Sequence, residues 1–177
     1  MRALIVYESI YGNTHAVADG IAAGLRSLGD VRVVPVHEAT ADLVAWADLV
    51  VVGGPTHAHG MTRTSTRKGA IEAAGKPGSA LALDHDAAGP GVRDWLGSLG
   101  RVHGTRAAAF DTRFDGPAMF TGRASGGIAN GLRHLGFALA AEPESFLVDR
   151  RTKLVAGEAD RAARWGARLA DTLVPTG

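Results

Sequence analysis

The chain has no cysteine among its 177 residues. That absence excludes a disulfide, a thiolate nucleophile, a zinc site built on cysteine and a cysteine-ligated iron–sulfur cluster. Any redox chemistry therefore needs a bound cofactor. No apolar run approaches the roughly 18 residues that span a bilayer, so no membrane helix is expected. Charge of one sign is also missing: 19 basic residues against 18 acidic leave +1, with no block of like charges to mark a nucleic-acid surface. Strand-like residues begin at Arg2, immediately after Met1, which leaves no secretory leader, and a cytoplasmic protein is expected. Aromatic residues are sparse, 6% of the chain, which makes the position of each one informative.

What is present is a chain of single-domain length with 46% hydrophobic residues, and residues 1–177 are read as one domain. Leu4-Ile5-Val6-Tyr7 is a short unbroken apolar run, as expected of a strand covered on both faces. Val17, Ile21, Leu25 and Leu28 then recur at helical spacing up to Gly29. Val31 to Val36 forms a β-branched second strand, Leu43 and Trp46 a short helix, and Leu49-Val50-Val51-Val52 a third strand expected to stop at Gly53-Gly54-Pro55. From Thr56 to Gly91 periodicity is poor; Ser65 to Ala74 suggests a weak helix, and Leu81-Ala82-Leu83 either a strand or core-facing coil. Val92 to Leu99 restores helical spacing and Ala107 to Phe110 reads as a fourth strand. Asp111 to Arg123 reads as loop and Ile128, Leu132 and Leu135 as a helix. A strand between Phe137 and Val148 is interrupted by Pro143, and Ala162 to Leu173 is a final helix. Strands alternating with helices predict a parallel, doubly wound α/β sheet with helices on both faces. Ligands of such sheets bind beyond the carboxyl ends of the strands, which directs attention to the loops after Tyr7, Gly53 and Phe110.

The first of these, Ser9-Ile10-Tyr11-Gly12-Asn13-Thr14, joins a strand to a helix and offers backbone N–H groups, two hydroxyls and an amide where a helix start favours an anion. A simple turn capped by Asn13 or Thr14 is the plainer reading. No Gly-Lys-Ser/Thr follows and the three-glycine dinucleotide spacing is missing. Together with Tyr7 and Glu8, this loop resembles the phosphate loop of the flavodoxin family. Gly53-Gly54-Pro55-Thr56-His57-Ala58-His59-Gly60-Met61 is similar in place and style to that family's second loop, and Phe110-Asp111-Thr112-Arg113 through Arg123 to its third. The resemblance runs over nearly the whole chain and to the short form, without the long insertion in the last strand.

The resemblance implies five parallel strands in the order 2-1-3-4-5, with FMN as the cofactor. Ser9, Ile10, Tyr11, Gly12, Asn13 and Thr14 would hold its phosphate. Pro55, Thr56, His57, Ala58, His59 and Gly60 would border the ring, and Asp111, Thr112 and Arg113 would close the far side. Gly60, lacking a Cβ, would free its peptide to accept a hydrogen bond from the reduced flavin. The aromatic pair that usually sandwiches the ring is replaced by His57 and His59 on one loop and Phe114 and Phe120 on the other. Trp46, Trp95 and Trp165 sit at core positions of helices, and Asp160 and Arg164 at the spacing of an exposed pair. His57-x-His59 with Asp84-His85-Asp86 offers metal ligands, but nothing in the spacing fixes a geometry, so no metal is assigned. Arg63, Arg67, Arg113 and Arg123 predict a locally positive site rim.

Three functions follow. An electron carrier would exchange electrons with a redox partner protein or a small-molecule acceptor, without nucleic acid or membrane. An FMN-dependent NAD(P)H:quinone-type oxidoreductase would use Met61 to Pro90 as a lid or pocket wall. A flavin-free module of the same fold would only bind partners. Phosphatase chemistry of the low-molecular-weight kind lacks its cysteine.

Overall fold

A computed structural model describes residues 1–173. Its seven strands and seven helices alternate in the expected manner: β1 (Arg2–Tyr7), α1 (Asn13–Leu25), β2 (Asp30–Pro35), α2 (Ala41–Trp46), β3 (Leu49–His57), β4 (Gly60–Met61), α3 (Thr64–Ala74), α4 (Val92–Ser98), β5 (Arg106–Phe114), α5 (Ala118–Thr121), α6 (Ala124–Leu135), β6 (Ala138–Leu139), β7 (Glu144–Val148) and α7 (Glu158–Leu173). The parallel sheet runs β2-β1-β3-β5, and β6 and β7 both pair with the outer edge of β5. Those two pieces are the fifth strand, broken around Pro143, so the order is the expected 2-1-3-4-5. The fold is flavodoxin-like.

Period-two alternation divides the core. Ala3, Ile5 and Tyr7 face α1 and α7, whereas Leu4 and Val6 face the layer of α2, α4 and α6. On the first face Phe110, Phe146 and Trp165 pack edge to face with ring centroids 6.2–6.5 Å apart. Trp95 is buried on the second face and donates its indole N–H to the Ala39 carbonyl at 2.7 Å. Trp46 is only half-buried and lies under the Arg32 guanidinium, 4.1 Å from its ring centre.

Two strands outrun the sequence reading. β3 does not stop at Gly53-Gly54-Pro55 but continues to His57, pairing on one side with Asp111 and Thr112 of β5. Pairing with β1 ends at Gly53, so Pro55 has a free side where no ladder N–H is required. Gly53 makes room rather than ending the strand: a Cβ there would lie 2.1 Å from the Phe110 ring of the neighbouring strand. β5 likewise runs on to Phe114 instead of ending at Phe110, and α5 is a single turn inside the expected loop. The weak helix near residue 65 is α3, while Leu81-Ala82-Leu83 is coil with Leu83 exposed rather than core-facing. Asp160 and Arg164 form no ion pair within 4.0 Å; Arg161 instead binds Glu158 and, at 2.6 Å, Glu144.

The helices α1 and α7 approach closely because glycines line the contact. A Cβ on Gly24 would sit 2.0 Å from the Ala163 carbonyl oxygen, and one on Gly166 2.3 Å from that of Ile21. Gly69 of α3, by contrast, has nothing within 4 Å of that position. Urea unfolding is expected to show Gly24→Ala losing about 2 kcal/mol or more through overpacking. Gly69→Ala should gain up to about 1 kcal/mol through helix propensity.

Candidate functional site

The carboxyl ends of β1, β3 and β5 open on a cleft of about 520 Å³, within the size range of small-molecule sites. Its floor is the first loop. Gly12 takes the left-handed conformation (φ 82°) at the start of α1, which has no side-chain cap and no acidic residue in its first turn. The N–H groups that open this helix therefore keep their capacity for an anion. Ile10, Tyr11, Asn13 and Thr14 line the cleft. Ser9 is buried beneath it, its hydroxyl accepting the Gly12 N–H at 3.1 Å, so it braces the loop. The Tyr11 hydroxyl donates to the Ala70 carbonyl at 2.8 Å and the Asn13 amide to that of Thr152 at 3.0 Å. Thr14 and Thr112 share a hydroxyl hydrogen bond of 2.8 Å that joins the first loop to the third.

One wall is the hairpin of β3 and β4, with Pro55, Thr56, His57, Ala58 and His59 facing the cleft. His57 pairs with Gly60 across a two-residue turn whose central residues, Ala58 (φ 46°) and His59 (φ 71°), both have positive φ. A type I′ turn requires this sign, and Asn-Gly normally supplies it. Conformational strain thus lies at Ala58 and His59, whereas Gly60 has a negative φ, sits in the ladder and would tolerate a Cβ with nothing within 4 Å. The tip is held by pairing with Gly122, where any Cβ would lie 2.2 Å from the His59 Cα. Burial pushes the His57 pKa down, keeping its imidazole neutral near pH 7.

The third loop divides its expected roles. Thr112 reaches the cleft. Asp111 is buried below it, accepting the Ser125 N–H at 2.7 Å, while the Thr56 hydroxyl accepts the Ala124 N–H at 2.9 Å, so two adjacent strands cap α6. Arg113 donates to the Gly116 carbonyl at 2.6 Å and to the Thr121 hydroxyl at 3.0 Å, shaping the turn that carries Phe120, 70% exposed at the cleft rim. None of Arg63, Arg67, Arg113 and Arg123 lines the cleft, so the expected positive rim is replaced by an apolar one. Arg123 reaches the Pro143 carbonyl at 2.7 Å, and Arg67 is buried against Asp94 at 2.7 Å.

Sequence reasoning missed the network that holds the hairpin. The buried Glu8 carboxylate accepts the Thr62 hydroxyl with one oxygen and the Val92 N–H at 2.8 Å with the other. Arg67 joins through Thr62 at 3.2 Å. Burial raises the Glu8 pKa, against the hydrogen bonds from Thr62 and Val92 and the charge of Arg67. Thr66, Ala70, Leu81, Val148 and Thr152 also line the cleft. Ala70 and Thr152 bind the first loop across 59 and 139 positions, through Tyr11 and Asn13, and such separations leave no local pattern to read.

Comparison with known proteins places this geometry. Residues 4–67, which include most of β1, the first loop and the hairpin, match the family model described as Flavodoxin domain. A flavodoxin of Aquifex aeolicus (strain VF5) is 43% identical over 58 residues. The likeness to flavodoxins is one of sequence over this N-terminal third and of fold beyond it. The aligned segment is 32% of this chain and spans 31%, about a third, of that curated relative. Solved flavodoxins carry the likeness of fold over the full length. Oxidised flavodoxin 1 from Bacillus cereus superposes with a TM-score of 0.66 at 18% identity, over 98% of this chain and 100% of the other. An archaeal flavodoxin gives 0.64 at 21% identity over 97% of both chains. Among the described residues no helix is long and apolar enough to cross a membrane.

Two outcomes test this site. Because the Glu8 pKa is higher in the folded chain than unfolded, its titration favours folding below the unfolded value and the benefit fades as pH rises through the folded one. The stability of the natural chain relative to Glu8→Gln, from urea unfolding, should therefore fall as pH rises above the ordinary carboxylate range of about 4 to 5. Ala58→Gly should relieve the turn and raise stability by about 1 kcal/mol, read by thermal unfolding.

Proposed function

We propose that the cleft binds FMN, with its phosphate on the first loop, and that the chain carries electrons between redox partners through that flavin. The observation that carries the reading is the start of α1: an uncapped helix end with a left-handed glycine and no acid in its first turn, opening into a cleft of adequate size. The donor set fits a phosphate. Backbone N–H groups of the first turn and the Asn13 and Thr14 side chains would hold it without a basic residue. Ser9 would act from beneath, by fixing the loop.

Above that end, Pro55, Thr56, His57 and Ala58 would border one side of the ring system and Thr112 the other. Gly60, Asp111 and Arg113 would contribute by shaping the loops. When bound, the flavin supplies the electron chemistry. The chain's own part is to orient it, to exclude water with the apolar rim and to keep the neutral His57 beside it. Phe120, exposed at the cleft rim, would cover part of the ring system. The match of residues 4–67 to the flavodoxin domain model and the fold shared with solved flavodoxins support this reading.

Thr66, Ala70 and Leu81 give the cleft an extra wall from the segment expected to form a lid. That favours, as second reading, an FMN-dependent oxidoreductase acting on NAD(P)H and a quinone-type acceptor.

Titration of the purified apo-chain with FMN and with riboflavin, followed by flavin fluorescence, separates these outcomes. FMN should bind at one equivalent and at least about a hundredfold more tightly than riboflavin, since the phosphate supplies several charge-assisted hydrogen bonds. Equal affinities would place the phosphate elsewhere, and no binding of either would leave the fold without this function. Phe120→Ala should weaken FMN about two- to tenfold, the worth of one aromatic contact. Oxidation of NAD(P)H by the holo-protein without a partner would favour the second reading.

A further inference from the structure

Below the first loop, on the far side of β1 from the cleft residues, three histidines and three carboxylates converge. His15 stands in the first turn of α1, its ring stacked on that of Tyr7 at 4.3 Å. Asp84 and His85 belong to the turn after the coil that follows α3, and the Asp84 N–H fastens that turn to the Ile10 carbonyl at 2.8 Å. One ligand atom each from His15, Asp84 and His85 lies within 4.8 Å of the others.

We propose that His15, Asp84 and His85 form a binding site for a divalent transition-metal ion of the zinc class, joining the start of α1 to the 84–87 turn.

Three observations converge on it. The Asp84 side chain is only 4% exposed, yet its Oδ2 has no hydrogen-bond partner. A buried carboxylate oxygen without a donor is a costly state that a cation removes. Spacing comes second. Asp84 Oδ2 lies 3.4 Å from His15 Nδ1, and Asp84 Oδ1 2.9 Å from His85 Nδ1. Ligand atoms about 2.1 Å from a tetrahedral metal stand about 3.4 Å from each other, so small side-chain rotations close the site. Third, His85 turns its other nitrogen, Nε2, to the Asp86 carboxylate at 2.7 Å, while Asp19 stands at the longer distance of 3.8 Å from His15 Nε2. Carboxylates behind ligating imidazoles fix the tautomer and strengthen the ligand.

His37, 3.7 Å from Asp86, and the Tyr7 hydroxyl, 3.3 Å from it, complete the surround. The Tyr7 pKa is driven upward by burial and then by the charges of Asp86 and Asp84, as expected where negative charge exceeds positive. Two imidazoles with one carboxylate select zinc-class ions over magnesium or calcium, which prefer all-oxygen sets. His57 and His59 take no part; they line the cleft.

The site stands on its own residues and does not depend on flavin, so its test omits flavin. The tag-free full-length chain, stripped with a chelator, is titrated with Zn²⁺ by calorimetry, and with Co²⁺ by visible absorption to report the ligand geometry. One equivalent of Zn²⁺ should bind saturably and raise Tm. His15→Gln and His85→Ala should each weaken binding about tenfold or more, whereas His134→Ala, an exposed histidine on α6, should leave it unchanged. His85 is 72% exposed, so its removal keeps the fold, which circular dichroism checks. No one-equivalent binding up to about 100 µM Zn²⁺, or an affinity that survives both substitutions together, overturns the site.

Discussion

Glu8 stands just past the carboxyl end of β1 with each carboxylate oxygen engaged to a different part of the chain: Thr62 beyond the hairpin and the Val92 N–H at the start of α4. A buried carboxylate is tolerated only when its oxygens are satisfied, and here satisfaction requires two segments more than 50 residues away to meet beside the first loop. Arg67 supplies the countercharge by way of Thr62 and continues to Asp94. A Cβ at Gly91 would lie 2.1 Å from the Arg67 guanidinium, so a larger residue there would displace Arg67 from this arrangement. The position of the cleft wall follows from this single residue.

Above it, the hairpin tip holds two residues in a conformation they disfavour. Ala58 and His59 together store about 2 kcal/mol or more, and the surrounding pairing with Gly60 and Gly122 fixes them there. Thr14 and Thr112 close the ring of loops on the other side through one hydroxyl contact. The three loops are therefore a connected surface and not three independent excursions. A change at any of them is felt at the others.

The parallel sheet and the helices α1, α4, α6 and α7 were legible because their apolar spacing is regular, whereas the strand order came from the resemblance of the loops. Reading Gly53-Gly54-Pro55 as a stop failed because the space demanded by the Phe110 ring belongs to the neighbouring strand, invisible in the local pattern. Ten of the fifteen expected site residues line the cleft, and the other five support it from below or from the side. Those five show the limit of motif reading: a buried aspartate that caps a helix and an exposed one that touches ligand look the same in sequence. The expected arginine rim failed for a similar reason, since Arg67 and Arg113 are consumed by internal acceptors. His15 escaped notice because its partners, Asp84 and His85, stand about 70 positions away.

The glycine-lined contact between α1 and α7 has a consequence for the newborn chain. Ile21 and Leu25 are sealed by residues near Trp165 and Leu169, so the first helix emerges from the ribosome long before its cover. At synthesis rates of about 5–20 residues per second, the apolar face of α1 waits roughly 7–30 s for that cover. Over that interval the half-built sheet presents one naked side to its surroundings or to a chaperone, and that face closes only when α7 arrives.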